Sequence, residues 1–463
     1  MDKKKPFHVD PYALVFALIV FAGVCVHLIT PGTLVDGVYT PLPKNQLTFS
    51  SFFDLFLAVP MGIQSCAGLI AILLVCTGTI EVLKRTGAVD AGIGALLRRY
   101  GSRSGTTLLV IIGVAASAMG GFLGWADTLF AFIPLVSAVV LALGYDRITA
   151  VALIGGCSIC GFTAGPTNLY TVGICNSTLQ SLGMLDADSG LFAGMGFRVA
   201  LWCVYTVIAV GYTVIYAERV RRDPSRSLLH GSAVPQPDVS STDNLPFTPR
   251  HLAALLCLLG SMVASVVGMQ VGFGGEKWGQ DHMTAAFLVA GILAGIIGKL
   301  SASQITQAFV DGARGSIGAG LILGLARGVF WILDKGNVNA TVAYEMSRLL
   351  EGLPPLAAAI GIAVLVTLIN ALIPSGSGKG ALLSPLLLPI AQDLGLGTQT
   401  AILAFQLGSG PTYLWWVSIG PLYVCLDYGK VPLKPWLKFF TPLVGLIYAA
   451  GFAALAAAVA IGY

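Results

Sequence analysis

Charge is what this chain has least of. Only 10% of its 463 residues are charged, against 56% hydrophobic. Soluble domains carry about a quarter charged residues, so a soluble globular protein is excluded. The five histidines (His8, His27, His230, His251, His282) are dispersed, and no nucleophile stands beside a base, which argues against a membrane-embedded enzyme. No ring of pore-lining charges suggests a channel, and no extramembrane domain suggests a receptor or scaffold. A net charge of +4 is too small and scattered for nucleic-acid binding. The nine cysteines are odd in number, and Cys25, Cys66, Cys76, Cys203 and Cys257 lie in apolar stretches, where a thiol behaves as a small hydrophobe. Cys157-Ser158-Ile159-Cys160 has redox or metal spacing, but no histidine is near it. Ile29-Thr30-Pro31-Gly32 offers no small-x-small cleavage site after the first apolar run, so that run reads as an uncleaved span.

What is present is a polytopic membrane pattern with an internal repeat. Gly165-Pro166-Thr167-Asn168-Leu169 in the first half returns as Gly410-Pro411-Thr412-Tyr413-Leu414 in the second. Pro134 falls on Pro385 and Thr149 on Thr400 at an offset of 251 (385 − 134; 400 − 149), and Gly144 on Gly395. The Gly-Pro-Thr pair gives 245 (410 − 165), so the first half carries six extra residues (251 − 245) around Gly155 to Gly161. Gly87 resembles Gly336 at an offset of 249 (336 − 87). Gly and Pro break a helix, and a break at membrane depth is tolerated only where protein or a water-filled cavity satisfies the freed groups. Paired breaks in two halves point to a binding site near the midplane.

Basic residues mark the cytoplasmic side. Lys3 to Lys5, Lys84-Arg85, Arg98-Arg99, Arg219 to Arg222, Lys299 and Lys430 to Lys438 then give an all-α fold with a cytoplasmic N-terminus, about nine transmembrane helices and two re-entrant hairpins of opposite orientation. The spans run 11–30, 64–84, 148–176, 193–217, 250–268, 284–299, 315–333, 399–425 and 441–461. The hairpins run 105–143 and 354–393, with tips at Asp127 and at Pro374 to Gly380, and amphipathic segments precede them at 89–100 and 339–351. Residues 1–217 form the first repeat, 218–249 a polar, proline-containing cytoplasmic linker and 250–463 the second repeat, which holds one span more. Inverted repeats of this kind serve alternating access.

Four segments carry a family resemblance: Arg85 to Ile93, Ala326-Arg327-Gly328, Ile373-Pro374-Ser375-Gly376-Ser377-Gly378, and Ala404-Phe405-Gln406. They resemble the YfcC branch of the DcuC-type C4-dicarboxylate carriers, within the ion-transporter superfamily, over nearly the whole chain. The resemblance implies a secondary carrier in the bacterial cytoplasmic membrane that forms a homodimer. Its substrates would be C4-dicarboxylates, short fatty acids or basic amino acids taken by antiport. Relatives tend to have an acidic pair at the first tip, a Gln after Ser-Gly-Ser-Gly and an acidic residue between the glycines of the second break. Here Asp127 stands alone, Lys379 takes the Gln place and Ser409 separates Gly408 from Gly410.

The candidate substrate-binding residues are Asp127, Thr128, Thr167, Asn168, Ser375, Gly376, Ser377, Gly378, Lys379, Ser409 and Thr412, with Gly165, Pro166, Gly410 and Pro411 at the helix breaks. Asp127 and Lys379 are nearly equivalent in the repeats (127 + 251 = 378). Either they pair with each other, or Lys379 binds a substrate carboxylate while Asp127 exchanges a proton; charged groups inside a membrane do one or the other. Half-helix N-termini after Pro166, Pro411 and Gly380 would favour an anionic group. Arg327, Asn370 and Gln406 form a possible second tier, either as interhelical hydrogen-bonding groups or, for Arg327, as an anion ligand. The reading is a secondary carrier of a small carboxylate-bearing metabolite, a C4-dicarboxylate or an amino acid, with a basic amino acid antiporter as the alternative. No cofactor is expected beyond a coupling sodium ion or proton.

Overall fold

The computed structural model describes residues 11–35, 38–43, 52–89, 91–92, 95, 105–181, 184–185, 192–230, 246–270, 278, 280–373 and 376–463. The chain folds almost entirely into helices. A two-stranded antiparallel hairpin, β1 (Gly32–Val35) with β2 (Val38–Pro41), is an addition to the expected all-α pattern. Most of the amphipathic segment 89–100, the linker residues 231–245 and the tip residues Pro374 and Ser375 fall outside the described residues.

Among the described residues, Gly105–Leu123, Met195–Arg222 and Leu433–Ala460 are long and apolar enough to cross a membrane. The two 28-residue helices reach about 42 Å each at 1.5 Å per residue, beyond the ~30 Å hydrocarbon thickness. Gly105–Leu123, expected as one arm of a hairpin, has the length of a full crossing. Phe52–Ser65 and the helix after it form a further broken span, bent by 57°. Shorter apolar stretches of 10 to 17 residues include Arg147–Thr163, which ends at the first break, and Pro355–Asn370. Large hydrophobics face outward along them, among them Val207, Val263 and Ile296, as a lipid-facing surface requires.

Helix order shows the repeat as packing. In the first half α1 (Pro11–Leu28) precedes α2 (Phe52–Ser65) and α3 (Ala67–Arg85). The hairpin region is α4 (Gly105–Leu123), a 3-10 turn (Thr128–Phe132) and α5 (Ile133–Ala142). The first broken helix comprises α6 (Arg147–Val151), α7 (Cys157–Thr163) and α8 (Ile174–Ser181), and α9 (Met195–Arg222) closes this half. The second half adds α10 (Pro249–Gln270) and α11 (Gln280–Ile297), then α12 (Ala302–Arg314) and α13 (Ile317–Lys335). There follow α14 (Asn339–Arg348), α15 (Pro355–Asn370) and α16 (Gly376–Asp393). Last come α17 (Thr398–Ser409), α18 (Gly420–Gly429) and α19 (Leu433–Ala460).

Helix α2 packs on α13, and its counterpart α12 packs on α3; likewise α4 packs on α7 and α15 on α17. These reciprocal contacts indicate an internal repeat. Gly144 and Gly395 have left-handed φ of 83° and 79°, at the expected offset. Left-handed Gly87 is matched by left-handed Asn337 rather than by Gly336, which corrects that register by one residue. Helix α12 was not anticipated, although a Ser301/Gln304 capping box marks its start. A π-helical turn at Ala152–Gly156 lies within the stretch where the first half carries its extra residues, and a second follows the break at Leu169–Gly173.

Asp146 fastens the end of the hairpin region to the start of the linker. Its carboxylate accepts from Thr149 N (2.9 Å), Thr149 Oγ1 (2.9 Å), Tyr216 Oη (2.5 Å) and Ser227 Oγ (2.7 Å). Asp146→Ala leaves these donors without their acceptor, and the expected cost is about 2–4 kcal/mol. The check is thermal unfolding in detergent, where Asp146→Ala should melt several degrees below the parent protein.

Candidate functional site

Both helix breaks fall where the signature places them, and the structure shows how each is satisfied. Helix α7 stops at Thr163, and 164–168 unwinds before the π turn at Leu169. Thr167 Oγ1 donates to Phe122 O at the end of α4 (2.6 Å). Asn168 Nδ2 donates to Phe162 O (3.1 Å), and its Oδ1 accepts from Tyr170 N (3.0 Å). Gly165 O accepts from Gln406 Nε2 of the other broken helix (2.8 Å). In the second half, Thr412 Oγ1 accepts from Asn370 Nδ2 (2.8 Å), which also reaches Ser409 O (3.4 Å). The threonine of each signature thus ties its break to the end of the neighbouring hairpin arm. The two breaks meet closely: a Cβ on Gly410 would lie 2.0 Å from Thr163 Oγ1.

Lys379 does not meet Asp127. It is fully buried, its ammonium donates to Asn370 Oδ1, and the two residues form no ion pair. Helix α16 begins at Gly376 rather than after Gly380, so Lys379 stands in its first turn, where the helix dipole disfavours a cation. Asn370 offsets that penalty and links Lys379 to the second break. The half-helix expected after Pro411 starts instead at Gly420, after a 3-10 turn at Pro411–Leu414, because Pro421 fits only the first turn of a new helix. Ser375 lies outside the described residues, as do the side chains of Ser377 and Gly378.

Asp127 and Thr128, half-buried at the end of the first hairpin arm, line a cavity of about 410 Å³, its open mouth included. The other walls are Ile72 and Leu73 from α3, Phe130 and Ala131, Leu323 from α13, and Pro421, Val424 and Tyr428 from α18. Arg327 lies one turn beyond Leu323 on the same face of α13 and is half-buried. Among the described residues it has no hydrogen-bond or ion-pair partner, and Asp127 has no ion-pair partner. Tyr170 and Tyr413 stand at the two breaks, the Tyr413 ring 6.5 Å from that of Phe162. The sequence reading missed these tyrosines; the signal was Tyr413 itself, which stands in the second signature where the first has Asn168. Thr167, Asn168, Ser409, Thr412, Asn370 and Gln406 are engaged in holding the breaks together.

Broken helices cross-braced at their breaks, with Asp127 and Thr128 lining a cavity between them and the neighbouring helices, are the features of a secondary transporter of a small polar or charged solute. It is a carrier, not an enzyme. The chain belongs to the DcuC family of C4-dicarboxylate anaerobic carriers, whose profile matches residues 10–460. It is 28% identical over 416 residues to the putative basic amino acid antiporter YfcC of Escherichia coli, covering 86% of this chain and 79% of that protein. It is 26% identical over 424 residues to an uncharacterized Haemophilus influenzae protein, covering 90% and 80%. Among solved structures it is similar to the Alcanivorax borkumensis YdaH transporter, at 16% identity and a TM-score of 0.46 over 98% of this chain and 99% of that one.

Because the breaks pack backbone to side chain at Gly410, Gly410→Ala forces Thr163 or the break to shift. The expected cost is roughly 1–3 kcal/mol, seen as a lower melting temperature, with Gly445→Ala as a control at a position open to added bulk.

Proposed function

We propose that the protein carries a small carboxylate-bearing metabolite, a C4-dicarboxylate or an amino acid, by alternating access between two inverted repeats. The observation that carries this reading is Arg327. A guanidinium half-buried one turn beyond the cavity-lining Leu323, with no hydrogen-bond or ion-pair partner among the described residues, is costly inside a membrane, and an anionic ligand is a natural partner. A planar guanidinium also matches a carboxylate with two parallel hydrogen bonds. Asp127 and Thr128 line the cavity and complete the proposed binding set.

In this reading Lys379 is a resident cation that braces the second break through Asn370, rather than a substrate ligand. Asn370 and Gln406 act with it as supports. The protein sits in the bacterial cytoplasmic membrane as a homodimer, N-terminus inside, and a sodium ion, a proton or a counter-substrate drives it. The second reading, basic amino acid antiport, is favoured by the carboxylate of Asp127 facing the cavity and by the name of the Escherichia coli relative.

Counterflow in proteoliposomes tests both. Vesicles loaded in turn with unlabelled succinate, leucine or arginine should take up the matching labelled solute for at least one of the three, and flux should fall at least tenfold in Arg327→Gln. Uptake equal to that of empty liposomes across a broad panel of carboxylates and amino acids would sink the carrier reading. Lys379→Gln should lower the melting temperature without changing which solute is preferred; a changed preference would return Lys379 to the substrate site.

A further inference from the structure

The two longest helices, α9 and α19, lie against each other in opposite directions. Tyr463, just past the end of α19, packs its ring on Phe197 in the first turn of α9, with centroids 4.6 Å apart. Toward the other end, Tyr212 and Tyr216 of α9 pack on Phe439 of α19 at 5.2 and 4.8 Å, and Tyr212 Oη donates to Phe439 O (2.8 Å). The last turn of α9 therefore stands beside the first turns of α19, at the end taken above as cytoplasmic.

Each helix also turns one exposed face outward. On α9 it runs through Val204, Val207 and Ile215 and finishes at Arg219 and Arg222. On α19 it starts at Lys434 and Lys438 and continues through Thr441, Gly445 and Leu446. At about 3.6 residues per turn, and with contact made through Tyr212, Tyr216 and Phe439, the two faces lie on the same side of the antiparallel pair. An outward apolar surface thus ends in four cations.

Among the described residues none of the four has an ion-pair or hydrogen-bond partner. The acids near this end are engaged elsewhere. Glu218 accepts from Thr106 and Tyr145 and pairs with Arg221, Asp223 pairs with Arg226, Asp146 accepts from Tyr216 and Ser227, and Asp427 pairs with Lys430. The preference of basic residues for the inner side explains their position along the helices. It does not explain why four of them share one outward face without a counter-ion. A lipid phosphate supplies that counter-ion, and acyl chains suit the apolar face beyond it. Thr441, three positions past Lys438, accepts from Trp415 Nε1 (3.0 Å), so the patch lies one turn from the segment that follows the second break.

We infer that the outward face of α9 and α19 binds an anionic phospholipid, its phosphate among Arg219, Arg222, Lys434 and Lys438 and its chains along Val207, Ile215 and Leu446. This holds whichever solute the protein carries.

Thermal unfolding of the full-length protein in neutral detergent tests it, with three additives titrated in turn: dioctanoyl phosphatidylglycerol, zwitterionic dioctanoyl phosphatidylcholine, and glycerol phosphate, which has the anion without the chains. Phosphatidylglycerol should reach half-maximal stabilisation at a concentration at least fivefold below that of phosphatidylcholine, and glycerol phosphate should not stabilise. Arg219→Gln, Arg222→Gln, Lys434→Gln and Lys438→Gln together should erase the preference. Arg250→Gln with Arg314→Gln, which removes two cations from α10 and α12, should leave it intact. Should the fourfold variant not fold, Arg219→Gln with Arg222→Gln, and separately Lys434→Gln with Lys438→Gln, should each lower the preference at least twofold. Equal stabilisation by the two lipids, stabilisation by glycerol phosphate alone, or a preference that survives the Gln variants overturns the inference.

Discussion

A lipid interior offers no hydrogen bonds, and that constraint governs how this protein is built. An intact helix satisfies its own backbone, so a chain that breaks its helices at membrane depth must supply partners for every group it frees. Here the partners come both from side chains at the break itself and from neighbouring helices far away in sequence. Thr167, Asn168 and Gln406 serve the first, and Asn370 and Thr412 the second. Gln406 belongs to one broken helix and bonds the carbonyl of the other, so the two breaks hold each other open. Any site at the breaks depends on this bracing.

Charge follows the same logic. Lys379 is taken out of water completely, and it is tolerated because Asn370 faces it at the start of α16. Asp54 and Lys335 satisfy each other at 2.6 Å across the packed pair α2 and α13. Asp146 is ringed by hydroxyl and amide donors. Against these satisfied groups, Asp127 stands out as a carboxylate that lines the cavity and has no ion-pair partner among the described residues.

The membrane class and the two Gly-Pro-Thr breaks were legible in the residues because each rests on local chemistry: uncharged apolar runs, and residues that cannot continue a helix. The repeat register was legible for the same reason, down to Gly144 and Gly395. The register of Gly87 was misread by one residue because Asn can take a left-handed turn as glycine does. Helix α12 was overlooked because its polar face conceals a buried one, and β1–β2 because a short ribbon has no strong period. The site was legible only in part. Asp127, Lys379 and Arg327 were singled out as costly charges, but equivalence by repeat arithmetic paired Asp127 with Lys379. The side chains went elsewhere.

By itself the sequence determined that this is a polytopic membrane protein with paired helix breaks, since hydropathy and helix-breaking residues act over a few neighbours and need no fold to be read. Only the tertiary structure decided which polar groups are occupied in holding the breaks and which face the cavity. A hydroxyl or an ammonium has the same chemistry in either role, and its role depends on what lies within about 3 Å of it in space. For Lys379 that neighbour is Asn370, nine positions back along the chain. Asp127 and Leu323, 196 positions apart (323 − 127), come to line one cavity only through the packing of the folded helices.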